Sequence, residues 1–528
     1  MSWERLVCLA DVEVKPRVVR SGSRQLAVFK VNGDVFAIDN RCPHEGYPLA
    51  EGSVDDDCVL TCNWHNWKFR LHDGECVLGG DHVRSYPARV DDGFVWADLT
   101  DPPIEEVEAK ILRGLTGSME RRDFGRICRE ITRLKLSGID PLSAVRFAIT
   151  STYDRFEFGT THAFAAAADW LTLAEELDGD WERQLVCLSE PVDHIAFDTI
   201  RHPHYAFPEA ASEEYSHTGL LQAIEQEDRP RAEGLAVRAI ADGLGWSDLE
   251  ETLATAALAH FIDFGHGPIY VLKSRQLCER LGESVEPALI LACVRSLCFA
   301  TREDLIPEFS GYAPALAALP ELKTGPREPL DASAFFPAST KEALQRTSDA
   351  LQDHSVETVY GAMLTGLANN LLHYDTTHDQ RWDRPVADNV SWLSVSHGVT
   401  HANAVRHLCG SYPHLLGAGL LQMALFIGRN RKYIDQSLDT SEWLVDDVAE
   451  FRTATIEQVL DHGFRDPIFA AHALKTPFAV FDELETASDE CASVLLASVN
   501  RMLHSSFKQM HVRRLARQAI QLVERDYA

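Results

Sequence analysis

The chain has no run of eighteen apolar residues, so it offers no segment long enough for a membrane-spanning helix. Met1 to Val19 mixes Glu4, Arg5, Asp11, Glu13 and Lys15 among its apolar residues and lacks the uninterrupted apolar core of a signal peptide. Together these absences lead to the expectation of a cytoplasmic protein. Basic residues are also few: 50 Lys and Arg stand against 80 Asp and Glu, a formal charge of -30. Such a surface argues against nucleic acid or an anionic membrane as partner, because binding either one requires basic groups that release counterions. The 12 cysteines have no repeating spacing, and several fall in helical patterns such as Leu291 to Ala300. They read as small buried hydrophobes, which excludes a disulfide framework.

What is present is the balance of a globular protein, 45% hydrophobic and 25% charged, over 528 residues that allow two to four domains. Up to about Leu99 the chain reads as short strands joined by polar turns. Leu26 to Val31, Asn32-Gly33 and Val35 to Ile38 form one hairpin pattern, and Trp67 to Leu71, Asp73-Gly74 and Cys76 to Leu78 form another. A third pair flanks Asp91-Asp92-Gly93. Asp101-Pro102-Pro103 ends the strands, and from Ile104 onward apolar residues recur at the i, i+3, i+4 spacing of amphipathic helices. Arg121 to Leu136, Leu249 to Phe264, Val356 to Leu372 and Leu415 to Ile427 are among the segments long enough for a helix. The expected fold class is multidomain: a small all-β domain over residues 1–103, a helical linker over 104–150 and a large all-α domain over 151–528. Pro320, Pro326, Pro329 and Pro337 divide that last domain into two halves joined near 319–339.

The sharpest motif is Cys42-Pro43-His44, then seventeen residues, then Cys62-Asn63-Trp64-His65. One Cys and one His on each of two loops suit a [2Fe-2S] cluster in which two thiolates hold one iron and two imidazoles the other. Two Cys and two His also satisfy tetrahedral zinc. Against zinc stand the alternation of Cys and His, Gly46 and Pro48 after the first pair, and the strand at Trp67 to Leu71 after the second. These features, across about residues 4 to 99, resemble the Rieske family. Tyr47 and Trp64 occupy the positions where respiratory members carry a loop disulfide, so the resemblance is to the oxygenase-ferredoxin branch. It implies a cluster on Cys42, His44, Cys62 and His65, and a reductase or ferredoxin as electron donor.

Of 22 histidines, 18 lie between His162 and His511. Those in apolar helical context are the best candidate ligands, because a low-dielectric wall keeps imidazole neutral and its lone pair free. His162, His260, His401 and His472 pass that filter, and His266 and His397 follow, the latter four residues before His401 on one helical face. Lys475, one turn after His472, reads as a surface lysine, as a buried cation beside the imidazoles or, carbamylated, as an oxygen ligand. His162, the His397 to Thr400 segment and His472-Ala473-Leu474-Lys475 give residues 150 to 500 a resemblance to the questin-oxidase-like family. That family is all-helical and includes oxidative ring-cleaving enzymes of polyketide metabolism. A competing pattern is the H-x4-H spacing of His373 and His378, as in Rieske oxygenase large subunits, although Asn370 stands where those have a bridging Asp.

Two functions follow. The first is an oxygenase with a mononuclear Fe(II) held by histidines, using O2 on a small organic substrate, aromatic or polyketide-like. The second is a Rieske electron-transfer or redox-sensing protein whose helical region is a docking scaffold.

Overall fold

A computed structural model describes residues 3–526. The chain divides into two compact units, residues 1–140 and 141–528. The first is built on three antiparallel sheets. β1 (Trp3–Cys8) pairs with β11 (Phe94–Asp98), which pairs with β10 (Ala88–Asp91). β2 (Arg17–Ser21), β3 (Arg24–Val31), β4 (Asp34–Asp39) and β9 (Ser85–Tyr86) form the second sheet in that order. The third runs β5 (Ser53–Val54), β6 (Val59–Thr61), β7 (Lys68–Arg70), β8 (Cys76–Leu78).

The expected hairpins are there, and their turns have the chemistry that closes them. Asn32 and Gly33, like Asp92 and Gly93, have positive φ at both positions, the twist that matches paired strands. β3 and β4 are buried on both faces. Ala27, Phe29, Phe36 and Ile38 point to one apolar cluster, and Leu26, Val28 and Ala37 to another. The first cluster includes Cys42 and Cys62, so the two motif loops grow out of the packed core.

Beyond a short helix at Leu9–Val14, two longer helices follow the strands in this unit: α1 (Ile104–Arg121) and α2 (Phe124–Leu136). The pattern from Arg121 to Leu136 is therefore interrupted. Arg122 turns left-handed at φ 50, and Asp123 accepts from Arg126 N to start α2. The chain divides after Asp140 rather than after Pro103, because arginines of α2 pair with Asp81 of the β unit.

The second unit is all helical, so the protein has a β-then-α layout. Irregular chain at 319–331 lies within this unit, and no second compact body separates there among the described residues. Four helices matter most: α3 (His162–Glu176), α4 (His266–Leu281), α5 (Trp392–Ser411) and α6 (Pro467–Glu483). They pack in a closed ring, α3 on α4, α4 on α5, α5 on α6 and α6 back on α3. Small residues let them approach: Ala163 through Ala168 are all buried, and Ala470 and Ala471 pack against Ala166 and Trp170. The helix expected to reach Phe264 stops at Ala259, where His260 turns extended (φ -133, ψ 154), and Asp263, Phe264 and Gly265 then follow at positive φ. That turn delivers the chain into α4. No helix of the described residues is long and apolar enough to cross a membrane.

Candidate metal centres

In the first unit the motif loops share one construction. Cys42 N–H donates to the Tyr47 carbonyl at 2.9 Å and Gly46 N–H to the Cys42 carbonyl at 2.8 Å. Cys62 N–H donates to the Trp67 carbonyl at 2.8 Å and Asn66 N–H to the Cys62 carbonyl at 3.0 Å. Gly46 and Asn66, both at positive φ, close the two turns. The result buries both thiols and leaves the imidazoles of His44 and His65 at the surface side, their Nδ1 atoms 3.1 Å apart. Burial pushes the Cys42 thiol up to about 11, with neighbouring Cys62 adding to the rise. Cationic iron offsets that cost of forming thiolate. Trp67 stacks on His44 at 4.7 Å and Trp64 on His65 at 4.9 Å, holding each ring in orientation.

The second centre lies inside the four-helix ring. His162 stands at the first position of α3, where Thr161 caps the helix by accepting from Ala163 N. His266 opens α4, His397 lies in the second turn of α5, and His472 in the second turn of α6. His266 Nε2 is 3.2 Å from His162 Nε2 and 2.9 Å from His397 Nε2. His162, His397 and His472 also bring one ring nitrogen each within 4.8 Å of one another. Two nitrogens each about 2.1 Å from one ion, at about 90–109°, lie about 3.0–3.4 Å apart, so the His44–His65 separation and the two Nε2 separations from His266 are of the size that ligation requires.

Backbone carbonyls set the tautomers. Nδ1 of His266 donates to Asp263 O at 2.5 Å, that of His397 to Leu393 O at 2.5 Å and that of His472 to Ile468 O at 2.8 Å. With Nδ1 protonated, each Nε2 presents a lone pair inward, and His472 Nε2 is buried with no hydrogen-bond partner. Several lone pairs facing one another repel unless a cation joins them. The rings are neutral: burial first, then the Lys475 charge, holds His162, His397 and His472 well below the ordinary range and His266 at about 4. Lys475 is itself pulled down to about 7 by burial, with Asp169 opposing that pull. Donors, tautomers and charge therefore suit a divalent metal bound by imidazoles of this group.

The structure thus brings together His162, His472, His266 and His397, with Lys475 beside them. His401 lies one turn beyond His397. Its Nδ1 donates to the Gly265 carbonyl at 3.2 Å, which ties it to the turn before His266. His260 goes elsewhere: its ring meets Asp304 at 3.0 Å and Glu225 at 2.7 Å, on a cavity of about 330 Å³ also lined by Arg302 and Thr255. Its position at the end of a helix removes it from the buried face. His373 and His378 do not pair; the first caps Asn369 O and the second lies against Tyr374 and Tyr433. Of the aromatic residues near candidate ligands in sequence, Phe264 reaches the group, 5.6 Å from His397, whereas Trp170 and Phe478 pack in core.

Three residues escaped the sequence reading. Tyr270 lies 5.2 Å from the His266 ring, and Lys273 donates to Asp169 at 2.7 Å. Their spacing was the available signal: Tyr270 and Lys273 follow His266 by four and seven residues, and Asp169 follows His162 by seven, each on the ligand's own face.

Comparison with known proteins agrees with the first centre. A family model for the Rieske [2Fe-2S] domain matches residues 2–87. Over 95 residues the chain is 32% identical to the 3-phenylpropionate/cinnamic acid dioxygenase ferredoxin subunit of Escherichia coli, covering 18% of this chain and 90% of that protein. It is 31% identical over 111 residues to the 4beta-methylsterol monooxygenase of Methylococcus capsulatus, covering 18% of this chain and 30% of that one. A solved ferredoxin from Sphingomonas yanoikuyae B1 is 29% identical, covering 19% of this chain and 100% of that one, with a TM-score of 0.18. Carrying two thiols and two imidazoles on paired loops of a matched domain, this chain belongs, through its N-terminal unit, to the Rieske [2Fe-2S] family.

Proposed function

We propose that this chain is an oxygenase in which the Rieske domain is the electron entry port and His162, His266, His397 and His472 hold a mononuclear iron. The observation that carries the reading is the meeting of neutral imidazoles from four helices: His266 Nε2 lies 2.9 and 3.2 Å from those of His397 and His162, and His162, His397 and His472 each bring a ring nitrogen within 4.8 Å of the others. Iron is favoured over zinc because the other domain of the chain handles single electrons, which zinc does not accept. When bound, iron supplies one-electron redox chemistry toward O2 and an organic substrate.

The protein's own residues prepare the site for it. Burial and the Lys475 charge keep the imidazoles unprotonated, so their lone pairs are available at neutral pH. The carbonyls of Asp263, Leu393 and Ile468 hold the Nδ1 protons and fix the ring planes. Burial keeps the Tyr270 phenol protonated, which leaves an O–H beside the site as a donor to a substrate oxygen. Phe264 offers an apolar wall next to His397. An aromatic or polyketide-like substrate suits that wall, in line with the resemblance to the questin-oxidase-like family carried by His162, His397 and His472. A reductase or ferredoxin is the proposed donor to the cluster.

The test is metal stoichiometry. Reconstituted wild type is expected to hold three irons per chain, falling to two in the His162→Ala/His472→Ala double variant while the cluster's absorbance is unchanged. Two irons in wild type would leave a protein that only carries electrons.

A further inference from the structure

The family match ends at residue 87, yet the unit that contains it continues to Asp140 because α1 and α2 are built onto it. The attachment point is the loop Gly79-Gly80-Asp81. The Asp81 side chain is fully buried, and three guanidinium groups of α2 surround it: Arg126 at 3.2 Å, Arg129 at 2.7 Å and Arg133 at 3.4 Å. Arg133 also meets buried Glu130 at 3.0 Å, and Arg121 of α1 donates to the Gly79 carbonyl at 3.0 Å. Around Asp81, three arginines of α2 against two carboxylates leave an excess of one positive charge.

The same loop presses on the cluster's surroundings. A Cβ at Gly79 would stand 2.5 Å from the Trp67 indole, and one at Gly80 3.2 Å from it and 3.8 Å from Arg126. At Gly79, also at φ 134, only glycine fits against the indole, and at Gly80 a methyl would crowd Trp67. Trp67 in turn stacks on His44, the rings 16° from parallel. Apolar side chains would pack two helices at less cost than buried ions. The ions stand at a loop that touches the ring behind a cluster ligand, which points to a task beyond packing.

We propose that the α1–α2 hairpin is a clamp that sets the reduction potential of the Rieske cluster. Asp81 gathers Arg126, Arg129 and Arg133 against the loop, the loop holds Trp67 on His44, and the excess positive charge favours the reduced state. That state differs from the oxidised one by a single electron, taken from the external donor with no bond made or broken. Net charge and the groups around the ligands are the general determinants of such potentials. Arg126, Arg129 and Arg133 are thus positioning residues for the cluster.

The experiment is a redox titration of the full-length reconstituted protein, following the paramagnetic resonance signal of the reduced cluster. Arg129→Gln/Arg133→Gln is expected to lower the reduced-to-oxidised ratio at fixed potential about tenfold, a 59 mV shift for one electron. Gly80→Ala keeps every charge but pushes a methyl between Trp67 and Arg126, and is expected to change the g values of the reduced cluster. A double variant with the wild-type midpoint and only a lower melting temperature would overturn the proposal. If that variant fails to fold, Arg129→Gln alone, at a side chain 39% exposed, serves in its place. An unshifted midpoint there overturns the proposal equally.

Discussion

Replacing Gly265 by Ala tests whether the turn before α4 is what delivers His266 to the other imidazoles. Gly265 has φ 73 and follows Asp263 at φ 43 and Phe264 at φ 55, so the backbone is left-handed for three residues in succession. A Cβ at Gly265 would meet the Phe426 ring at 2.7 Å and His401 Nδ1 at 3.0 Å. The left-handed conformation costs an alanine about 1–2 kcal/mol, and a methyl forced into packed rings adds about 1–3 kcal/mol. The helical unit should therefore lose about 2–5 kcal/mol. Because His266 is the next residue, the displacement also falls on the metal group, and metal binding should weaken about 10–100-fold, as when the support behind a ligand is disturbed. Denaturant titration and competition with a coloured chelator measure the two losses. Gly243→Ala is the reference, since φ there is 85 and nothing lies within 4 Å, so it carries the conformational cost alone. A Gly265→Ala protein as stable as Gly243→Ala, with wild-type metal affinity, would refute the reasoning.

Acid should destabilise the metal-free helical unit. Burial holds His266 and His401 at about 4, and His162, His397 and His472 well below the ordinary value. Between about pH 6.5 and 4 the unfolded chain takes up protons that the folded chain refuses, so stability falls with falling pH by about 1.4 kcal/mol per unit for each such imidazole. Urea midpoints should be clearly lower at pH 5 than at pH 7.5, and equal midpoints would contradict the buried, neutral assignment. Cys42→Ser should abolish the Rieske paramagnetic signal and reductase-driven turnover while helical circular dichroism persists; surviving turnover would end the entry-port role. His260→Ala should leave the iron count at its wild-type value and cost about 1–2 kcal/mol through the lost hydrogen bonds to Asp304 and Glu225. A drop in iron would place His260 in the centre after all.

Much of the first unit was legible because its signals are local. Strand alternation, two-residue turns and a Cys-x-His loop are each written within a few residues, and Asn32-Gly33 and Asp92-Gly93 close hairpins as their residue types require. The place of α1 and α2 was not legible. An amphipathic helix shows which face it buries but not against what, and Asp81 gave no sign in sequence of meeting arginines 45 to 52 residues later. In the second unit, apolar context picked out His472, which is buried, and His162, which is half-buried beside it, but also His260, which faces elsewhere. That residue is the extended cap of its helix, so its side chain leaves the helical face for Asp304 and Glu225.

By itself the sequence determined the Rieske domain, the class of each domain and the set of histidines from which a second centre could be drawn. Only the tertiary structure decided which of them meet. His266 lies 104 residues from His162 and 131 from His397, and closing a ring of four helices is what brings their Nε2 atoms to hydrogen-bond distance. Periodicity orients a side chain about its own helix axis. The relative rotation and offset of four axes come from packing small residues against one another, and that is a property of the whole core.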